Sequence, residues 1–385
     1  MLLEGCRLVT ESGTHERVSV RIADDRITEV VEEETPVPLP GEERIDLAGR
    51  TVVPGFVDLH VHGGGGTTFA EGDAQAVAQA CQFHRRNGTT RNLASLVTAP
   101  IDALLRALAS LADLTASGVV TGIHLEGPFL SPQHFGAQDP RYLRAPDGRL
   151  LAQLLDAGRG AVRMVTVAPE LPGGIDLIGE IRRAGVIAAI GHSGATYAEA
   201  CAAIDAGATV ATHLWDAMRP LHHRQPGIVG AALARPEIAC ELIADGHHVH
   251  PVVVSLTHQL ACDRLVLVTD AISAAGQPDG TYRLGEKEID VKNGRSFLAG
   301  TKTIAGSTLT LAESVRFAAC EAGIPVDKAV QAATSTPARL LGMANEVGTI
   351  APGYVADLVV LDSDFRVEAV MTGGSWCRRK VSDGA

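Results

Sequence analysis

Apolar residues along this chain fall into two rhythms. Up to about residue 54 they come in short runs that alternate with polar residues. "RVSVRIADDRITEVVEE" is one such run, with a turn at Asp24-Asp25. "TPVPLPGEE" is a Pro-rich loop that cannot pair inside a sheet, and "ERIDLAGRTVVPGF" leads out of it. From residue 55 the rhythm changes. Strand-like apolar runs appear at about 55–61, 89–97, 119–126, 161–168, 186–191, 208–213, 238–244 and 264–269. Between most of them lie Ala/Leu-rich segments of helical spacing, such as "DAQAVAQACQFHRRNG", "IDALLRALASLADLTASG" and "TYAEACAAIDAG", each ending near a glycine. Strand–helix alternation implies an α/β protein with a parallel sheet and crossover helices. Eight such strands fit a closed (β/α)8 TIM-like barrel, with a doubly wound open sheet as the rival.

Beyond the eighth run, "GTYRLGEKEIDVKNGRSFLAG" reads as a β-hairpin insertion, followed by helices at about 308–322 and 326–341. The tail "VGTIAPGYVADLVVLDSDFRVEAVMTGG" returns to strands and turns. The simplest division is a barrel over 55–344 and a small β-sandwich domain built from both chain ends, 1–54 plus 345–385.

Composition narrows the class. Of 385 residues, 46% are apolar and 20% charged, as in a soluble protein with a large core. No apolar run approaches the length of a membrane span, and "MLLEGCRLVTESG" has no signal-peptide pattern. The seven cysteines are scattered without a CxxC, which points to a reducing cytoplasm rather than a disulfide framework. A net charge of −12 with no basic patch argues against nucleic acid as a partner, while leaving room for a small anionic substrate.

The polar residues at the strand ends carry the chemistry, because barrel active sites sit at the C-terminal ends of the strands. The first run ends in His60 and His62, the third in Glu126, the fifth in His192, the sixth in His213 and the eighth in Asp270. The seventh ends in "IADGHHVH". Residues two apart on a strand share a face, so both imidazoles of "HVH" can point inward. Imidazole nitrogen and carboxylate oxygen suit zinc and other divalent first-row metals. A lone strand-end histidine is more often a packed residue, but here five candidate ligands and an aspartate recur at equivalent places. Asp270 could take a proton from a metal-bound water and pass it to a leaving group.

These residues sit in longer motifs: "PGFVDLHVHG", "HLEGPFL", "IGHSGATY", "ATHLWDAMRP", "HHRQPG", "LIADGHHVH", "VTDAI", "IAGS" and "GTIAPGYVADLVVLD". With them the chain resembles, over nearly its whole length, the amidohydrolase superfamily and within it the N-acetylglucosamine-6-phosphate deacetylase family. The resemblance implies that Glu126, His192 and His213 hold the main divalent metal. It also implies that His60 and His62 bind a second ion, with Glu126 bridging, so that each subunit takes one or two ions, zinc or iron or another first-row metal. Asp270 would be general base and then general acid in hydrolysis of a sugar acetamide. His248, and the backbone N–H groups of Asp216 and Ala217, would face the sugar phosphate. Arg224 would reach the phosphate in the neighbouring subunit of a homodimer.

Two positions depart from the family pattern. Gln138 stands where a substrate-contacting histidine is usual, and Asp216 replaces an asparagine. A carboxylate near a phosphate is repulsive, at roughly 4 kcal/mol for unit charges about 4 Å apart in an effective dielectric of 20. Either the Asp216 side chain points away, or the substrate is a different or unphosphorylated N-acyl amino sugar. Hydrolases of cyclic amides or N-acyl amino acids are a rival. They often bridge their metals with a carboxylated lysine after strand four, where this chain has "MVTVAPE". A non-catalytic barrel that has lost its metal is the remaining alternative.

Overall fold

The computed structural model describes residues 1–34 and 36–379. Eight parallel strands form one sheet in sequential order: β1 (Phe56–Val61), β2 (Thr89–Val97), β3 (Gly122–Glu126), β4 (Val162–Val167), β5 (Ile187–Ile190), β6 (Ala208–Ala211), β7 (Ala239–Ile243) and β8 (Leu265–Val268). The sheet closes where β8 runs out. Val61 bridges Ala271 in parallel, the N–H of Asp270 donates to the His60 carbonyl at 2.8 Å, and the N–H of His62 donates to Ala271 at 2.8 Å. The barrel expected from the alternation is therefore present, and the open sheet is excluded.

The strands read as apolar runs because both their faces are covered: every residue of β1, β3, β7 and β8 is buried. Helices coat the outside through a stripe of small and aliphatic residues. In Ile101–Ala116 that stripe is Leu104, Ala107, Leu108, Leu111 and Ala112, spaced at helical intervals. The helix Tyr197–Ala206 shows why such segments start and stop where they do. Thr196 and Glu199 form a reciprocal capping box, and Gly207 ends the helix in the left-handed region, at φ 114°.

The insertion after β8 is a three-stranded antiparallel meander (Gly280–Leu284, Lys287–Lys292, Arg295–Leu298), one strand more than the hairpin expected. The second late helix is also broken. Thr334 leaves the helical region, separating Val326–Ala333 from Ser335–Leu340, and Pro337 in the second piece has no N–H to continue the ladder.

The chain divides into two compact units. One holds Leu59–Phe83 and Asn92–Leu309; the other holds Met1–Asp58, His84–Arg91 and the chain from Thr310 onward. In the second unit, strands from both chain ends pair in one mixed sheet. Their residues, including Leu3, Val20, Ile45, Val52, Leu358 and Met371, fill a single core. The three late helices group with these strands, whereas the sequence reading ran the barrel domain to 344. Val326–Ala333 packs on the strand Leu2–Thr10, and Ser335 and Arg339 both donate to Glu11. Residues 35 and 380–385 of the small domain assigned from sequence lie outside the described residues.

Candidate active site

The strand-end residues meet at the C-terminal rim of the barrel. Glu126, at the end of β3, is the hub. Its Oε1 lies 2.9 Å from His192 Nε2, 3.1 Å from His213 Nε2 and 3.5 Å from His60 Nε2, and its Oε2 lies 3.4 Å from His62 Nε2. Asp270 Oδ1 is 3.1 Å from His62 Nε2 and 3.6 Å from His60 Nε2. Two groups result, His60/His62/Asp270 and Glu126/His192/His213, each with its donor atoms within 4.8 Å of one another. All six residues are buried.

Unusual backbone geometry aims these side chains. His192, His213 and Asp270, each two residues beyond the end of its strand, have φ of 47°, 28° and 48°. Left-handed conformations in non-glycine residues are costly and persist only where surrounding structure fixes them. Glycine is needed beside them for a different reason. A Cβ on Gly63, next to His62, would come within 2.3 Å of the Thr67 carbonyl. The glycines that follow "HVH" therefore let a second backbone segment lie against the site.

What lies behind the imidazoles orients them as metal ligation would require. A carbonyl only accepts, so His62 Nδ1 donates to Ser95 O at 3.1 Å and His192 Nδ1 donates to His134 O at 3.0 Å. His60 Nδ1 faces Glu241 Oε2 at 3.4 Å. With Nδ1 protonated, each Nε2 turns its lone pair toward the shared centre. The electrostatics fit a cation there. Burial opposes charge on His62, but the Asp270 and Glu126 carboxylates outweigh it and push the imidazole up to about 9. Burial likewise opposes charge on Asp270, yet the His60 and His62 imidazoles hold it below the usual carboxylate range. The two carboxylates thus draw positive charge into a buried place, and a divalent ion answers that demand while displacing protons from nitrogen.

A cavity of about 320 Å³ opens over these residues. It is lined by His62, Glu126, His192, His213 and Asp270 and also by Gln138, Asp216, Ala217 and His248. The substrate-contact residues expected from sequence are thus mostly brought together, with two differences. First, Gln138 is already engaged: its Nε2 donates to Glu126 Oε2 at 2.6 Å, and its Oε1 accepts the Thr98 N–H at 2.7 Å. Second, the Asp216 N–H is spent on the His213 carbonyl at 3.0 Å, so it is not the phosphate donor expected. The reading in which the Asp216 side chain points away is overturned as well. Its carboxyl lines the cavity, where burial raises its affinity for a proton and the His248 charge opposes that. Trp215 and Ala217, at φ 89° and 49°, flank Asp216 and set its direction. Arg224, expected to act at a neighbouring subunit, is exposed, donates to His223 Nε2 at 2.7 Å and does not line its own cavity.

His248 is held on the cavity wall by Asp245, which accepts from its Nδ1 at 2.8 Å and from its backbone N–H at 2.9 Å. Burial opposes the charged imidazole, but Asp245 outweighs it and brings the group up to about 9. Sequence reasoning missed Asp245, although it stands inside the quoted "ADGHH". It also missed Glu241 and His124, which lie inside β7 and β3. The signal available was an ionisable residue in the middle of an apolar strand.

A family model described as amidohydrolase family matches residues 51–377. The chain belongs to the amidohydrolase family. Its near full-length relatives include amino sugar phosphate deacetylases. A structure of N-acetyl-D-glucosamine-6-phosphate deacetylase from Mycobacterium smegmatis, an Asp-to-Ala mutant in complex with N-acetyl-D-glucosamine-6-phosphate, superposes with TM-score 0.95 and 44% identity, covering 98% of this chain and 99% of that one. N-acetylgalactosamine-6-phosphate deacetylase of Escherichia coli O157:H7 is 37% identical over 97% of this chain and 98% of its own. N-acetylglucosamine-6-phosphate deacetylase of Vibrio furnissii is 35% identical over 89% and 86%.

Proposed function

We infer that this chain hydrolyses the acetamide of N-acetylglucosamine 6-phosphate, giving glucosamine 6-phosphate and acetate. The observation that carries this reading is the meeting of Asp270 with the buried imidazole–Glu126 set at one cavity, 3.1 Å from His62. Glu126, His192 and His213 would hold one divalent ion, and His60 and His62 a second with Glu126 shared. Zinc suits this donor set, as do other first-row ions. When bound, such an ion supplies Lewis acidity that polarises the amide carbonyl and makes water nucleophilic near neutral pH.

The protein's own groups do the rest. Asp270 Oδ1 takes the proton of the attacking water, then delivers it to the amide nitrogen as the C–N bond breaks. His248, the N–H of Ala217 and an Arg224 contributed by a second copy would receive the phosphate. Arg224 is exposed and outside its own cavity, which supports a homodimer as the working state. Among the described residues no helix is long and apolar enough to cross a membrane, and no disulfide joins any of the seven cysteines; the second point supports a cytoplasmic setting.

The test is acetate release from N-acetylglucosamine 6-phosphate by metal-loaded protein, beside the unphosphorylated sugar. Hydrolysis of the phosphorylated sugar is expected; turnover of the plain sugar alone overturns the phosphate reading. A second reading, the galacto epimer, is favoured by the Escherichia coli relative. The same assay with N-acetylgalactosamine 6-phosphate decides between them.

A further inference from the structure

Glu241 is a buried carboxylate in contact with this site that the proposed reaction leaves unused. It lies in the middle of β7, is fully buried, and belongs to neither donor group. Its Oε2 meets His60 from behind, 3.4 Å from Nδ1, and also accepts the backbone N–H of His213 at 3.3 Å. Its Oε1 has no hydrogen-bond partner among the described residues. The Leu214 N–H donates to the Glu241 carbonyl at 2.8 Å, so β7 and the His213 turn are tied at this residue.

The four imidazoles are backed differently. His62 and His192 rest on backbone carbonyls, and His213 Nδ1 has no partner among the described residues. Among the described residues, His60 alone of the four is backed by a carboxylate. A carboxylate behind the distal nitrogen fixes the tautomer and makes the facing nitrogen a stronger donor, and loss of such a partner costs about 10–100-fold in metal affinity. The placement is also selective. Glu241 touches His60 through its side chain but His213 only through its main chain.

We propose that Glu241 is a positioning residue for the His60/His62 ion: it holds His60 with Nδ1 protonated and Nε2 presented, and so governs uptake of the second metal. This rests on the two-ion reading above. It assigns Glu241 no contact with substrate and no proton transfer.

The test is metal titration of wild type, Glu241→Leu and Glu241→Gln, with bound ions per chain counted by mass spectrometry and affinities measured by competition with a chromophoric chelator. Wild type is expected to take two ions. Glu241→Leu should keep the tighter ion and bind the other about 10–100-fold more weakly. Glu241→Gln, which can still accept from Nδ1, should recover part of that loss. Two ions at wild-type affinities in a folded Glu241→Leu protein overturn the role. Should Glu241→Leu fail to fold, unchanged second-ion affinity in Glu241→Gln overturns it instead. Wild type that takes only one ion overturns the two-ion reading itself, and this role with it.

Discussion

Gln138 holds Glu126: its amide nitrogen donates to Glu126 Oε2 at 2.6 Å, while its oxygen is pinned by the Thr98 N–H. A residue placed by sequence at the substrate is, in the fold, a brace for the central carboxylate. Replacing it by Leu leaves the Thr98 N–H and one carboxylate oxygen unpartnered in a buried setting, at about 1–3 kcal/mol. Gln138→Leu is therefore expected to lower thermal stability and metal content together, read by melting curves and metal analysis.

Asp270→Asn removes the group proposed to move the proton while preserving its shape. A decrease in kcat of about 10²–10⁴-fold is expected, with the Glu126/His192/His213 ion retained. A steady-state assay with parallel metal counts checks this, and a rate near wild type would remove Asp270 from the mechanism.

Asp216 brings a carboxyl to the cavity and leaves Oδ2 buried without a hydrogen-bond partner among the described residues. Asp216→Asn relieves both that burial and its repulsion of a phosphate, which Coulomb's law puts at a few kcal/mol near contact. The variant should be more heat-stable. It should also gain on the order of tenfold in kcat/KM on the phosphorylated sugar, with little change on the plain one.

His248 titrates near 9 in the folded chain, above its ordinary 6.5. A raised imidazole stabilises the fold fully below about 6.5, and that contribution fades as pH rises through 9. Asp245 is shifted the other way, its burial outweighed by His248, so its contribution is lost as pH falls below the ordinary carboxylate range. KM for the phosphorylated sugar should therefore rise above pH 9, by about tenfold per unit for loss of one required proton. KM for the plain sugar should stay flat. His248→Gln should abolish the difference.

Gly63→Ala tests the loop behind His62. Its Cβ would fall 2.3 Å from the Thr67 carbonyl, so backbone must move. A loss of about 1–3 kcal/mol is expected in a denaturant titration.

The barrel was legible because strands covered on both faces leave continuous apolar runs, and the candidate ligands were legible because they punctuate those runs. The sixth run shows the limit. It reads through residue 213, but β6 stops at Ala211, and His213 reaches the site only by leaving the strand for a left-handed conformation. Motifs name such residues without telling their backbone. Asp216 was misjudged for the same reason, since its direction depends on Trp215 and Ala217. Glu241 was invisible as a site residue because its proximity to His60 exists only after strands 181 residues apart have come together.

The seam between β1 and β8 has a consequence for how activity arises. His60 and Asp270 are joined there by main-chain hydrogen bonds, and the neighbouring Thr269–His60 contact spans 209 residues. Contacts of such span form late, after the loops between them have lost their freedom. A growing chain can carry seven strands and all five candidate ligands and still lack Asp270. Catalytic competence should therefore appear in one step during refolding or synthesis, with no partly active forerunner.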